Sequence, residues 1–227
     1  MVKIVDIWIL WFQGINSLEL PLLNKECINA WKKLNEDDFD FRVNFLDEAE
    51  LYNLLPEIKE IFNNSIHERT LQAKSDLARL MLLDKYGGIW VDSSVFPMYP
   101  IASFFSKLLN KEEFFAYRFS PPDIDKEGIR VIPSWFLISL NPKHYVVSEW
   151  LKKLKEVYIG DYSWKYFQIH YTFSDLYFSD LDFAKIINNM VQKSEENPHS
   201  ITVKGFDKRY DSFLYKRPVH NEIKLKS

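Results

Sequence analysis

The stretch "DKYGGIWVDSSVFP", residues 84–97, joins a helical pattern to a short buried strand. The glycine pair at 87–88 follows an apolar helical run, and a glycine in that place is typical of a helix C-cap. Ile89–Val91 then predict a strand that ends at the carboxylate of Asp92, followed by two serines. Ligands of open α/β sheets bind outside the carboxyl ends of the strands. The stretch therefore indicates either a binding site immediately after this strand or a turn that is capped by Asp92.

The segments before this stretch alternate between strand and helix patterns. Residues 3–12 are apolar, as expected for a strand that is buried on both faces. Residues 16–35 carry apolar side chains at helical spacing, and a second strand is predicted around 41–46. A short helix from about residue 47 is expected to stop near Pro56. This β-α-β-α order predicts an α/β fold with a largely parallel central sheet.

The helix before the glycines carries the first candidate site residues. It is predicted to begin at Ser65, because Ser65 and Glu68 have the spacing of a capping box. Asp76 and Arg79 lie three residues apart and share one face of this helix. Taken alone, they are typical of a surface ion pair worth about 0.2–0.5 kcal/mol. The helix is otherwise apolar around them, and charges beside a packed surface are costly unless they are paired or used. Asp92 shifts the balance towards a functional role, because it falls at the carboxyl end of the next predicted strand.

The sequence after the stretch is less regular and predicts shorter elements. The expected elements are a helix near 101–110, a strand at 113–119, a polar loop at 120–130, a strand at 135–140, a helix after Pro142, an aromatic segment at 162–183 that is ambiguous between helix and strand, a loop at 192–200 and a tail at 215–227.

Composition narrows the class of protein. The 227 residues are 47% hydrophobic with a net charge of -3, which argues against disorder and against a nucleic-acid partner. The single cysteine, Cys27, permits neither an internal disulfide nor a Cys-x-x-Cys metal site. Asp6 interrupts the apolar N-terminus, and no apolar run approaches the roughly 18–20 residues of a spanning helix. We therefore expect a cytoplasmic protein, with a peripheral membrane contact left open.

Several enzyme classes lack their motifs in this chain. The five histidines form no His-x-x-x-His pair, and the sequence contains no Gly-x-Ser-x-Gly elbow. A P-loop and a Gly-x-Gly-x-x-Gly fingerprint are also absent from the sequence, which argues against P-loop NTPases and typical dinucleotide enzymes.

The segment "AKSDLARLMLLDKYGGIWVDSSV", residues 73–95, resembles the signature of the bacterial capsular polysaccharide synthesis glycosyltransferases. These are relatives of the DXD-type sugar transferases that include the initiating yeast mannosyltransferase and the clostridial glucosylating toxins. The shared form is Ser-Asp-x-x-Arg, then Tyr-Gly-Gly-Ile, an aromatic residue, an apolar residue and Asp. Weaker similarity lies in the segments "IWILWFQG", "PSWFLISLNPKH", "YFQIHYTF", "ENPHS" and "RPVH".

The resemblance implies a GT-A-like fold in a single domain over residues 1–227, with a tail at about 214–227 that closes over the active site. It implies transfer of a sugar from a nucleotide sugar, a UDP-sugar, to a growing capsular polysaccharide or exopolysaccharide on a lipid carrier, with retention of configuration. In this interpretation Trp11 stacks on the base, which an indole face suits. Asp76 and Arg79 bond hydroxyls of the donor sugar.

The resemblance also places Asp92 and Ser94 at a metal and diphosphate site for Mn²⁺ or Mg²⁺, hard cations that prefer oxygen ligands. The best-known motif is Asp-x-Asp, and Ser94 stands where the second acid would be. One carboxylate and one hydroxyl are expected to bind a cation mainly together with the diphosphate. From spacing alone, Asp92 fits a turn cap equally well. His220, with Lys224 and Lys226, is expected to close over the diphosphate or to lie in a solvated tail.

Other residues keep two interpretations. Trp135 and His170 are core side chains by default, and by the resemblance they line an acceptor groove, His170 together with Asp175.

The function also has two alternatives. One is a catalytically degenerate protein of the same fold that binds nucleotide or sugar. The other is a transferase with a small or protein acceptor.

Overall fold

A central five-stranded sheet organises the computed structural model, which describes residues 4–36, 40–66, 68–161, 163–194 and 213–216. The strands are β1 (Val5–Leu10), β2 (Phe41–Leu46), β3 (Gly88–Val91), β4 (Val95–Pro97), β5 (Phe114–Ala116), β6 (Asp123–Ile124), β7 (Ile129–Arg130), β8 (Phe136–Ser139) and β9 (Leu214–Lys216).

Helices cover the sheet. They are α1 (Leu22–Leu34), α2 (Glu48–Leu54), α3 (Pro56–Asn63), α4 (Leu71–Tyr86), α5 (Tyr145–Ile159), α6 (Gln168–Ser179) and α7 (Leu181–Asn189). Two 3₁₀ turns, Ile101–Ser103 and Phe105–Lys107, stand where the sequence predicts one helix near 101–110. None of the helices in the described part of the chain combines the length and apolarity that a membrane crossing requires.

The strands of the central sheet are ordered β2-β1-β3-β8-β5. β1 pairs in parallel with β2 and β3, whereas β8 is antiparallel to both of its neighbours. Four of the five strands therefore run in one direction, which confirms the predicted mostly parallel α/β sheet. The carboxyl ends of β1 and β3 consequently meet at one edge of the sheet. Outside it, β4 pairs with β9 and β6 pairs with β7, both antiparallel.

The core lies on both faces of this sheet, because side chains alternate along each strand. Ile7 and Ile9 of β1 belong to the cluster that includes Trp31 of α1. Trp8 and Leu10 belong to the opposite cluster, with α4 and α5. The buried residues of β1 confirm the prediction of a strand that is covered on both faces.

The turn between α4 and β3 requires glycine. Gly87 has φ +70° and Gly88 has φ +103°, a region that other residues rarely adopt. A Cβ on Gly88 would lie 2.3 Å from the carbonyl oxygen of Asp6 in β1. Trp8 Nε1 donates to the Gly87 carbonyl at 2.9 Å, which holds the turn against the sheet. The predicted glycine C-cap is confirmed.

The helix start predicted at Ser65 is wrong. α4 begins after Thr70, whose side chain accepts a hydrogen bond from the Ala73 N–H at 3.2 Å. The Ser65 hydroxyl instead donates to the Tyr158 carbonyl at the end of α5. A tertiary contact therefore takes the side chain that the Ser65–Glu68 spacing assigns to a cap.

Four further segments refine the predictions or differ from them. Pro56 does follow the end of α2, but it also opens the unpredicted α3 at its first position, where proline is tolerated. The ambiguous aromatic segment from 162 to 183 contains α6 and the start of α7. The polar loop at 120–130 contains the β6–β7 hairpin. Residues 215–216 of the predicted tail belong to β9, whereas His220, Lys224 and Lys226 lie outside the described residues.

Candidate functional site

A cavity of about 690 Å³ opens at the carboxyl ends of β1 and β3. Its lining includes Trp11, Asp76, Arg79, Asp92 and Ser94, so the fold brings these sequence-predicted residues to one place. The volume lies within the range of about 300–1,000 Å³ that is usual for small-molecule sites. The sixth predicted residue, the histidine at 220, is outside the described part of the chain.

Asp76 and Arg79 form a buried ion pair beneath this cavity. Their side chains are 4% and 5% exposed, and Arg79 Nη2 lies 2.9 Å from Asp76 Oδ1. The interpretation as a surface pair is therefore wrong, because α4 packs against α5 and β3 around these residues. Arg79 Nη1 also donates to the Ser134 carbonyl at 2.7 Å and to the Ser134 hydroxyl at 2.5 Å. The guanidinium is thus fixed from two sides.

Asp92 is held by hydrogen bonds to its backbone and to both carboxylate oxygens. Its backbone N–H donates to the Trp135 carbonyl at 2.9 Å. Trp90 Nε1 donates to Asp92 Oδ1 at 2.9 Å, and Arg79 Nη2 lies 3.4 Å from the same oxygen. The Arg79 guanidinium also lies over the Trp90 ring, 5.1 Å from its centroid. The carboxylate therefore points into the cavity rather than only capping a turn.

A lysine from the C-terminal part of the chain completes this cluster. Lys216 Nζ donates to Asp92 Oδ2 and to Ser94 Oγ, both at 2.7 Å. β9 delivers it, because Lys216 pairs with Val95 directly after the motif. Sequence reasoning did not single out Lys216, although the resemblance implies that the tail at about 214–227 closes over the active site.

The pKa values of the acidic residues are shifted in opposite directions. Burial raises the pKa of Asp76 to about 7, with Asp92 adding to the rise and Arg79 opposing it. Burial also acts to raise the pKa of Asp92, but the charges of Lys216 and Arg79 and hydrogen bonds from Lys216 and Trp90 lower it below its usual value. At neutral pH Asp92 is therefore ionised, whereas Asp76 is partly protonated.

Buried polar atoms without partners cluster around this cavity. Trp11 Nε1, Asn24 Oδ1, Asp76 Oδ2 and Arg79 Nε make no hydrogen bond to any residue that the structure describes. Such atoms are rare in native proteins, where the large majority of buried polar atoms have a partner. The four atoms belong to residues that line the cavity, although each atom is itself buried.

The sequence matches the family described as "Capsular polysaccharide synthesis protein" over residues 1–225. The chain belongs to this family. No curated protein matches the sequence. Among solved structures, "PaToxG Glycosyltransferase" is 12% identical with a TM-score of 0.50, over 82% of this chain and 73% of that chain. Mouse xyloside xylosyltransferase 1 in its apo form is 14% identical with a TM-score of 0.42, over 76% and 82%. The first of these likenesses shows the predicted GT-A-like fold.

The acceptor-groove residues predicted for this capsular family member separate in space. His170 and Trp135 line the cavity, and the Ser134 hydroxyl lies 3.3 Å from His170 Nε2. Burial, with Arg79 and Arg130 nearby, lowers the pKa of His170 to about 3, so its imidazole is neutral at neutral pH. Asp175 is not among the lining residues; its side chain is 62% exposed and pairs with a lysine on α5. The pairing of Asp175 with His170 in one groove is therefore wrong.

The cavity also contains residues that sequence reasoning did not identify. Asn24 Nδ2 donates to Ser93 Oγ at 2.8 Å, and the Arg130 guanidinium lies 3.8 Å from the centroid of the Phe167 ring. The aromatic richness of the segment from 162 to 183 was the available signal for Phe167 and its neighbour Tyr166. No local pattern distinguishes Asn24 from the other polar residues of α1.

The arrangement around Asp92 and Ser94 does not fit a divalent cation as it stands. The Lys216 ammonium lies between the two oxygens to which the resemblance assigns Mn²⁺ or Mg²⁺. Asp76, the other carboxylate of the cluster, pairs with Arg79. Among the described residues, no group of three histidine, cysteine or acidic side chains is placed to hold a metal ion. The metal stays a prediction, and it requires Lys216 to leave this position.

Proposed function

We propose that this chain transfers a sugar from a UDP-sugar to a growing capsular polysaccharide or exopolysaccharide on a lipid carrier, with retention of configuration. Membership of the capsular polysaccharide synthesis family and the GT-A-like fold support glycosyl transfer in that synthesis. The observation that carries the proposal is the convergence of Trp11, Asp76, Arg79 and Asp92 on one cavity of suitable size.

The donor is proposed to bind along the edge formed by β1 and β3. Trp11 offers an indole face to the uracil ring, and its unpartnered Nε1 offers one donor. Asp76 Oδ2 and Arg79 Nε, which are also unpartnered, are suited to hydroxyls of the sugar. The Arg79 guanidinium and the Lys216 ammonium, which both contact Asp92, are suited to bind the diphosphate.

Catalysis is proposed to rest on positioning and on stabilisation of the leaving diphosphate. Arg79 is held by Asp76 and Ser134, so its charge needs no reorganisation as negative charge develops. We assign no protein nucleophile, because both oxygens of Asp92 are engaged by Trp90 and Lys216.

The glycan acceptor is proposed to enter beside the aromatic part of the lining. Tyr166, Phe167 and Trp135 present apolar ring surface there, and the neutral His170 offers polar contacts without adding charge. A lipid-linked acceptor would bring this entrance close to a membrane surface, which is the peripheral contact left open by the sequence.

The proposal is tested by incubating the protein with a panel of UDP-sugars and lipid-linked oligosaccharides. Products are identified by mass spectrometry, and NMR gives the configuration of the new linkage. Arg79→Lys is expected to lower kcat/KM at least about hundredfold, because lysine cannot keep the fork that contacts Asp76 and Ser134. Arg42→Lys is the matched control, since Arg42 pairs with Asp6 on the surface and does not line the cavity.

Each alternative function has its own outcome in this experiment. Binding of UDP-sugars without transfer to any acceptor would identify a degenerate binding protein. Transfer to a protein acceptor in place of the glycan would overturn the polysaccharide assignment. An α-linked donor that gives a β-linked product would overturn retention.

A further inference from the structure

We infer that the Lys216 ammonium serves as the resident cation of the donor site, in the position where Asp92 and Ser94 were predicted to hold a metal ion. UDP then binds without a divalent cation. This inference rests on the proposed function, because it concerns how the same cavity holds the donor diphosphate.

The first support is the geometry of the ammonium. An ammonium has three N–H donors, and two of those on Lys216 are directed at Asp92 Oδ2 and Ser94 Oγ. No bond of the third N–H to a described residue is observed. Lys216 lines the cavity with 18% of its side chain exposed, so a phosphate oxygen can reach it.

The second support is the way in which the fold delivers this lysine. Lys216 is the last residue of β9, and its backbone is in register with Val95 of β4. Leu214, two residues earlier, is fully buried in the core. β4 begins only three residues after Asp92, so the pairing of β9 with β4 brings Lys216 close to Asp92. The ammonium is therefore placed by backbone pairing as well as by its own ion pair.

The third support is the sum of charges around the cavity. Arg79 and Lys216 contribute two positive charges, and Asp92 contributes one negative charge. Asp76 also lines the cavity, and because it is only partly protonated at neutral pH it offsets part of the remaining positive charge. The four groups therefore keep a small net positive charge that a diphosphate would neutralise. A divalent cation would have to displace Lys216 before it could reach the oxygens of Asp92 and Ser94.

The test is calorimetric titration with UDP and with uridine, in EDTA and in Mn²⁺. The wild-type protein is expected to bind UDP with the same Kd in both buffers, within about threefold. Lys216→Met keeps most of the length of the side chain and removes its ammonium group. It is expected to weaken UDP binding in EDTA by at least about tenfold, because hydrogen bonds to charged groups are worth that much. Uridine, which has no phosphate, is expected to bind both proteins equally.

Control variants separate the charge from the fold. Lys85→Met removes a lysine that contacts Glu57 outside the cavity, and UDP binding is expected to stay unchanged. Lys216→Arg keeps the positive charge, and it is expected to retain UDP binding in EDTA within about fivefold. Equal binding of uridine by Lys216→Met shows that this variant is folded at the cavity.

Two results would overturn the inference, and they differ in what they say of the proposed function. Wild-type UDP binding that requires Mn²⁺ and does not weaken in Lys216→Met would place a metal at Asp92 and leave glycosyl transfer standing. Wild-type protein that binds neither UDP nor UDP-sugars in either buffer would overturn the proposed function as well.

Discussion

Lys216 and Asp92 are 124 residues apart in the chain, yet Lys216 Nζ lies 2.7 Å from Asp92 Oδ2. The pair joins the residue at the end of the central strand β3 to the strand β9 near the other end of the chain. Because the pKa of Asp92 is lowered, the carboxylate stays charged and holds the ammonium over the cavity. The acid at the end of the strand thus positions a cation.

Replacing Asp92 by asparagine distinguishes this anchoring role from metal binding. Asp92→Asn removes one negative charge beside the diphosphate and also loosens Lys216, and the two effects oppose each other. We expect UDP to bind in EDTA within about threefold of wild type. Turnover is expected to fall at least about tenfold, because the cation is no longer held at the leaving group. Calorimetry and single-turnover assays measure the two quantities. Loss of a Mn²⁺-dependent UDP affinity in Asp92→Asn would instead support a metal at Asp92.

Much of the candidate site was predictable because its residues lie in a local pattern. Asp76, Arg79 and Asp92 belong to one helix-turn-strand segment, whose glycine turn fixes how they meet. Trp11 was assigned to the site only by the resemblance, and the structure places it directly after β1, which is parallel to β3. In both cases the spacing along the chain and the strand order together determine the position in space.

Long-range partners were not predictable, because no local pattern encodes them. Ser134 holds Arg79 from 55 residues away, and Lys216 reaches the motif through a three-residue strand. The start of α4 was also misassigned, because a tertiary contact determines which residue caps the helix. Ser65 and Thr70 are both suitable caps, and the contact of Ser65 with the Tyr158 carbonyl leaves Thr70 as the cap.

The buried Asp76 is expected to make stability depend on pH. Its pKa in the folded protein is about 7, above the value of about 4 in an unfolded chain. The folded state therefore holds an extra proton between these values, and its stability falls as pH rises through this window. Relative to wild type, Asp76→Asn is expected to gain about 1 kcal/mol per pH unit from pH 5 to 7 and to level off above that.

Urea denaturation at pH 5, 6, 7 and 8 measures this difference for Asp76. Asp175→Asn is the control, because its exposed carboxylate contacts a lysine at the surface and lies outside the cavity, so its profile is expected to follow that of wild type. Parallel stability profiles for Asp76→Asn and wild type would show that the folded protein does not hold the extra proton.

A gain of metal dependence is expected when the motif is given a second acid at position 94. In Lys216→Ala the ammonium is gone, and in the double variant Ser94→Asp/Lys216→Ala two carboxylates face the same space. Two neighbouring carboxylates repel each other, and a cation bound between them relieves that repulsion. We expect Mn²⁺ to strengthen UDP binding by at least about tenfold in the double variant, and by much less in Lys216→Ala.

A neighbouring serine provides the control for that experiment. Ser93 contacts Asn24 rather than Lys216, so Ser93→Asp/Lys216→Ala adds the same charge in a different place. This variant is expected to show no Mn²⁺ response. Equal responses of the two double variants would mean that the added charge acts without forming a site.

The glycine turn is expected to be the least tolerant part of the fold around the site. In Gly88→Ala the new Cβ would lie 2.3 Å from the Asp6 carbonyl oxygen. The backbone of β1 cannot easily move away, because β1 is paired with β2 on one side and with β3 on the other. The residue would also have to keep a φ of +103°, which costs a non-glycine residue about 1–3 kcal/mol before any clash. We expect Gly88→Ala to lower the free energy of unfolding by at least about 2 kcal/mol. Gly160→Ala, at an ordinary φ of -75°, is expected to change it by less than about 0.5 kcal/mol. Thermal and urea denaturation measure both variants, and a Gly88→Ala protein as stable as Gly160→Ala would show that the turn adopts another conformation.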